Sequence, residues 1–567
     1  MEDLVIRNAR IVDGTGAASF FGDVAVKDGV LTQVGGKAGT ARREIAADGA
    51  LVTPGFIDIH THYDGQVMWD KGLAQSGWHG VTSAVMGNCG VGFAPVRPEH
   101  RDRIIDLMEG IEDIPGPSLR AGLPWTWSTF PEFMDVLAAG QYGVDIGAQL
   151  PYAVLRTYAM GERGADNQPA TSDDIAAMAA LVKEGMHAGA LGLTMTRSIN
   201  HRSVDGRNAP GYDVTAEEPL ALARAVGETG RGVLGFNLDF DDVDADIALL
   251  RRVRRESGRT VWVLVNQQLH IPDRWKAIMA GIERANAEGE PIVAQVAGRP
   301  VSILLGLTSS RSPIFEKPSY KAIAHLPLDQ RVARLRDPAF RQKILAEQSG
   351  YSTEVNKLYG TRFDRMFRLG DPPDYEPLPE SSIAAIAARE GRRPEEVAYD
   401  MMLERDGREL FFMPAANYAS GDASLVMHFL QHPNTVLGLG DGGAHISRIC
   451  DTSNPTYMLT HWARDRKRGP TIPLEQVVKF QTGDAAAFYG LGDRGVLAVG
   501  KKADLNIIDH AALHLHAPEM RYDQPAGAPR LVQRADGYIA TILSGVPVHE
   551  NGEATGDLPG RLIRGAR

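Results

Sequence analysis

Apolar residues in this chain gather into short, β-branched runs that mostly end on a polar group, with stretches of helical period between several of them. The runs predict strands at Val52–Ile59, Val81–Met86, Val144–Leu150, Ala190–Thr196, Val233–Phe240, Val261–Asn266, Ile292–Ala297 and Thr435–Leu439. Helical segments fall at Asp173–Ala188, with Thr171 or Ser172 as N-cap and Gly189 as terminator, and at Pro219–Gly227, Asp242–Arg255 and Arg274–Ala287. Alternation of this kind predicts an α/β fold with parallel strands.

Eight strand–helix units that close on themselves give a (β/α)8 TIM-type barrel, whose chemistry sits at the C-terminal ends of the strands. The flanks read differently. Leu4–Gly49 is a string of short alternating runs broken by Gly and Asp, and Gly495–Asp509 and Ala540–Glu550 repeat that texture. Residues 1–50 with 490–567 are therefore expected to form a small β-sandwich domain built from both chain ends, beside a barrel over 51–489. The charged pieces at about 299–408, with DPPDYEPLPE, are too long for a loop and predict a helical insertion between strands seven and eight, a lid over the strand ends.

Composition narrows the function classes. The chain has 567 residues, 43% apolar and 23% charged, with 60 basic against 71 acidic residues and a net charge of −11. No basic face is evident for nucleic acid or an anionic membrane, so neither is expected as a partner. No run approaches the length of a membrane span. The acidic, alternating N-terminus reads as a strand and not as a signal peptide. With only two cysteines, Cys89 and Cys450, a disulfide scaffold is excluded and a cytoplasmic location is the simplest expectation. A small-molecule substrate is expected, and a homo-oligomer is compatible with the sequence.

Candidate chemistry collects at the predicted strand ends. Residues i and i+2 of a strand share a face, so His60 and His62 in PGFIDIHTHYDGQ project two imidazoles together. Cys89 leaves the second strand in a Gly-rich loop, where a thiolate ligand is reasonable. Asp441 follows the last strand in TVLGLGDGGAH. A divalent metal, zinc by its donor set, is expected on His60, His62 and Asp441, with Cys89. Such an ion acidifies water and polarises a carbonyl; Asp441 is then the catalytic base that takes the water's proton and passes it to a leaving nitrogen. Asp58 is a candidate supporting carboxylate. Arg197 and Arg448 are candidate anchors for a substrate carboxylate.

With DLVIRNARIVDGTG, PGFIDIHTHYDGQ, GVTSAVMGNCGVGFAP, LGLGDGGAH and DRGVLAVGKKADLNIID in view, the chain resembles the amidohydrolase superfamily and, within it, the N-acyl-D-amino-acid deacylase (D-aminoacylase) group. The resemblance spans nearly the whole length. It implies a barrel with a small β-sandwich, metal-holding histidines at His60 and His62, a metal-bridging cysteine at Cys89 and an aspartate base at Asp441. Two further histidines of that group, at the ends of strands five and six, are replaced here by Asn237 and by Asn266 or Gln267. The fourth strand end has no lysine, and Gln268 stands near the place of a substrate-holding lysine. One reading keeps a single ion and gives Asn237 and Asn266 to substrate or water; another recruits His270 or His201 as a ligand, and a second ion or another divalent metal stays open. The expected activity is metal-dependent hydrolysis of a C–N amide bond in an N-acyl-D-amino acid. The alternatives are a cyclic amide or imide, as in hydantoinase- and dihydroorotase-like enzymes, or a metal-depleted binding protein.

Overall fold

The β-branched runs form short strands buried on both faces, the pattern of parallel sheets covered by helices. In the computed structural model, which describes residues 1–351 and 353–565, these are β1 (Phe56–Asp58), β2 (Val81–Met86), β3 (Asp145–Ala148), β4 (Gly192–Arg197), β5 (Val233–Leu238), β6 (Val261–Leu264), β7 (Ile292–Ala297) and β8 (Thr435–Gly438). Residue 352 in the predicted insertion and residues 566 and 567 in the predicted β-sandwich segment lie outside the described residues. The architecture is mixed α/β. One parallel sheet carries β1, β2 and β3; the other runs β8–β7–β6–β5–β4 and ends on Leu150–Pro151. Backbone hydrogen bonds link the two sheets, from Leu191 N to Ala148 O (2.8 Å) and from Asp441 N to His60 O (2.9 Å).

Helices follow the local signals. Thr171 caps α2 (Ser172–His187), which follows α1 (Arg101–Glu112), in a reciprocal pair with Asp174. The Asp242 carboxylate caps α3 (Val243–Ser257) through Ala245 N at 3.0 Å, and α4 covers Arg274–Ala287. Such caps satisfy amide donors that have no partner within the helix.

Three expectations need correction. Val52–Ile59 is not one strand. Leu51–Pro54 pairs antiparallel with Leu505–Ile508 in a nine-stranded sheet drawn from both chain ends, whereas β1 pairs with β2. Gly55 stands at the break, where a Cβ would lie 2.1 Å from Thr82 Oγ1. The 299–408 segment is not purely helical: its Ser302–Gly306 and Phe367–Arg368 pair with Leu410–Pro414, just beyond it, in a three-stranded antiparallel sheet, and residues such as Leu305, Val332 and Ile344 build a separate core there with Phe411. Finally, Leu562–Ile563 leaves the β-rich region and pairs in parallel with β3.

A buried ion pair fastens the insertion to the segment after β8. Glu376 receives two hydrogen bonds from Arg466, each 3.1 Å, and one from Ala423 N at 2.8 Å, and His461 lies 3.0 Å away. Burial opposes ionisation of Glu376, but His461, Arg466 and Ala423 N outweigh it and hold the pKa down at about 2. A carboxylate depressed in the folded state contributes stability above its ordinary pKa, and that contribution is lost as pH falls from about 4.5 towards 2. Glu376→Gln is expected to cost about 3–5 kcal/mol at neutral pH, since it strands a buried guanidinium, and to flatten the acid limb of stability below pH 5. Urea unfolding at pH 7 and pH 3 checks this; an unchanged pH dependence would sink it.

Candidate metal centre and active site

Period-two geometry delivers the first two donors: His60 and His62 follow β1, 0% and 2% exposed, with Thr61 paired in parallel to Gly442 beyond β8. The peptides on either side lock this seam, because His62 N donates to Gly442 O at 2.7 Å while Asp441 N donates to His60 O. Asp58, at the end of β1, accepts from His60 N at 3.0 Å, and burial raises its pKa to about 7. Gly440 must be glycine here, since a Cβ would fall 1.9 Å from Asp58 Oδ2.

Donor atoms of His60, His62 and Cys89 lie within 4.8 Å of one another, and Asp441 stands beside the two histidines. His60 Nε2 lies 3.4 Å from both Cys89 Sγ and Asp441 Oδ1, and His62 Nε2 lies 3.7 Å from the same Asp441 oxygen. Tetrahedral zinc with bonds of ~2.0–2.3 Å separates its ligands by about 3.3–3.8 Å, so these spacings fit the ion. The other ring nitrogens are held from behind. His60 Nδ1 lies 2.6 Å from Gln295 Oε1, and His62 Nδ1 faces Glu112 Oε1 at 3.4 Å. Both arrangements aim Nε2 forward, the usual support for a metal-ligating histidine.

Electrostatics agree with the geometry. Burial pushes His60 down to about 4 and His62 well below the ordinary histidine range, so both rings are neutral, the ligating form. Burial first, and neighbouring negative charge second, raises Cys89, Glu112 and Asp441. Acids so enclosed ionise together only beside a positive charge. The backbone is strained as well: Cys89, Leu439, Asp441 and His445 have φ of 52°, 62°, 45° and 47°. Left-handed residues with a Cβ cost about 1–2 kcal/mol each, and such strain collects at functional sites.

The centre opens into a cavity of about 340 Å3 that also contains Asn237, Asn266, Gln268, His201, His445 and Arg274. His201 Nδ1 lies 2.8 Å from Thr196 Oγ1, and its Nε2 lies 3.2 Å from Asn237 Nδ2. Asn266 accepts from Asn417 Nδ2 at 2.9 Å. His270 is exposed and outside this lining. Arg197 and Arg448 are not brought into the cavity. Arg197 reaches Tyr212 O at 3.4 Å, in a separate depression, and Arg448 Nε donates to Asp113 at 2.7 Å. The cavity's guanidinium is Arg274, held by Asp239 O at 2.8 Å. A larger groove of about 990 Å3 lies between Gly16–Ala18 and the helices after β8, and contains none of the metal-donor clusters found among the described residues.

Glu112, Gln295 and Arg274 escaped the sequence reading. Gln295 had a signal, as the lone polar residue in IVAQVA. Glu112 ends α1 and Arg274 begins α4, each carrying the sign of charge that the helix dipole disfavours at that end, a faint signal that they serve something other than the helix.

The amidohydrolase family model matches residues 43–549. The chain is 31% identical to the N-acyl-D-aspartate deacylase of Alcaligenes xylosoxydans xylosoxydans over 563 residues, 99% of this chain and 95% of that protein. It is 25% identical to D-aminoacylase of the same organism over 571 residues, 99% and 97% of the two. A solved D-aminoacylase structure, one concerned with that enzyme's binuclear metal centre, matches with a TM-score of 0.66 at 23% identity over 100% of both chains, a likeness of fold.

If Glu112 orients His62, Glu112→Gln should weaken zinc binding by about 10–100-fold with the fold retained. Competition against a chromophoric chelator measures this, and an affinity equal to wild type would remove Glu112 from that role.

Proposed function

The chain belongs to the amidohydrolase family and is a hydrolase of carbon–nitrogen bonds other than peptide bonds; we propose that it deacylates N-acyl-D-amino acids with one zinc ion on His60, His62, Cys89 and Asp441. The observation that carries this reading is the cluster of His60, His62 and Cys89, whose ligand atoms lie within 4.8 Å of one another, with Asp441 Oδ1 3.4 and 3.7 Å from the two imidazoles. The fold reading goes with it: the two parallel sheets, hydrogen-bonded at both seams, make a closed (β/α)8 barrel beside a small β-sandwich from both chain ends.

A dication held there supplies the positive charge that acidifies water and polarises a scissile carbonyl. The protein's own residues do the rest. Asp441, whose side chain is 19% exposed against 0% and 2% for His60 and His62, is the donor that most faces the cavity. It accepts a proton from the attacking water and returns it to the leaving nitrogen. The carbonyl carbon gains the water oxygen and loses the nitrogen, giving a carboxylate and a free amine. Arg274 pairs with the carboxylate of the substrate, and Asn237 and Asn266 hydrogen-bond its amide or a water. His201, beside Asn237, keeps that amide oriented.

Asp441→Asn is expected to lower kcat by about 100-fold or more with the fold retained, assayed at saturating zinc; full activity would overturn the mechanism. Arg274→Ala should raise KM about tenfold or more, the worth of a charge-assisted hydrogen bond, with a smaller effect on kcat. Parallel assays on N-acyl-D-amino acids, their L-forms and cyclic imides test the substrate class. Turnover confined to cyclic imides would replace the deacylase reading with a hydantoinase-like one.

A further inference from the structure

A second group of metal donors lies away from the catalytic cavity. We propose that Asp371, His514 and His516 form a site for a divalent transition-metal ion, zinc or nickel, that staples the insertion to the C-terminal hairpin. Each of the three offers one donor atom, and these atoms all lie within 4.8 Å of one another. His514 and His516 share a face of an extended segment, their ring centroids 4.9 Å apart. His514 and Leu515 pair antiparallel with Asp536 and Ala535, which fixes the backbone that presents the two rings.

The neighbours of the trio prepare it for an ion. His516 Nε2 lies 2.8 Å from Asp536 Oδ2; a carboxylate behind a ligating imidazole is the common supporting pattern. Asp371 Oδ1 accepts from Ala517 N at 3.3 Å, which brings the carboxylate beside the histidine pair. Its other oxygen has Arg405 at 3.9 Å, too far for a hydrogen bond. Two imidazoles and a carboxylate suit zinc or nickel over magnesium or calcium. Partial exposure of the histidines leaves room for water to complete the coordination and for the ion to exchange.

The consequence is mechanical. Asp371 belongs to the insertion, and the two histidines belong to the hairpin that borders it. Gln533 of that hairpin donates to His516 O at 2.7 Å and accepts from Tyr375 O–H at 3.2 Å. An ion on the trio therefore braces the segment that leads into Glu376.

Full-length protein stripped by chelator and titrated with zinc should bind about one equivalent more than the His514→Ala/His516→Ala protein. Zinc should also raise the Tm of wild type further than that of the double variant. Asp371→Asn, a gentler change, should weaken the extra equivalent by about tenfold with unchanged turnover. His60→Ala/His62→Ala should abolish the other equivalent and spare this one, so failure of the catalytic reading and failure of this site are told apart. Equal zinc stoichiometry in wild type and the folded His514→Ala/His516→Ala protein overturns the proposal, as does an Asp371→Asn protein with wild-type affinity at both sites.

Discussion

Two backbone hydrogen bonds, Asp441 N to His60 O at 2.9 Å and His62 N to Gly442 O at 2.7 Å, hold the rest of the site in place. They join the end of the first parallel strand to the end of the last, and so bring together residues far apart in sequence. Asp58 and Gly440 make the approach close, one by holding His60 N and the other by having no Cβ to collide with that carboxylate. The left-handed residues Leu439, Asp441 and His445 are the cost of the turn. A hydrogen bond contributes a net ~1 kcal/mol, which is of the same order as that strain.

Around the seam the protein encloses acids and neutral imidazoles in one small volume. Glu112 Oε1 faces His62 and its Oε2 lies 3.8 Å from His445, so one buried carboxylate is shared by a donor and a cavity residue. Gln295 performs the matching task for His60 without a charge. The two donors are thus supported by groups of different electrostatic character. With a dication in place to ionise it, Glu112 raises the basicity of His62 as a ligand, whereas the neutral amide behind His60 only orients it.

His60, His62, Cys89 and Asp441 were legible in sequence because each ends an apolar run, and a strand end is a place that a sequence can mark. Most of the parallel strands were legible for the same reason. The break at Gly55 was not, since Leu51–Pro54 and β1 are both apolar and only their partners differ. The small sheets of the insertion and of the C-terminal region depend on long-range pairing that local pattern does not encode. Arg197 and Arg448 were candidates because they stand at or near strand ends, whereas Arg274 begins a helix; the direction of a long side chain is set by tertiary neighbours, and Asp113 takes Arg448 while Tyr212 O takes Arg197. Replacement of two expected histidines by Asn237 and Asn266 was visible in sequence, and so was His201 as a candidate for a lost ligand's place; only the structure sets it beside Asn237.

The break at Gly55 has a further consequence. Only that residue separates a strand hydrogen-bonded to Leu505–Ile508 from the strand that carries His60. With so short a tether the β-rich sheet cannot swing independently; its tilt is transmitted along the backbone as through a lever. Repacking around Val52 or Ile507, both 0% exposed, would thus shift the registry of the first ligand strand. Substitutions remote from the cavity could then retune its metal affinity without touching a ligand.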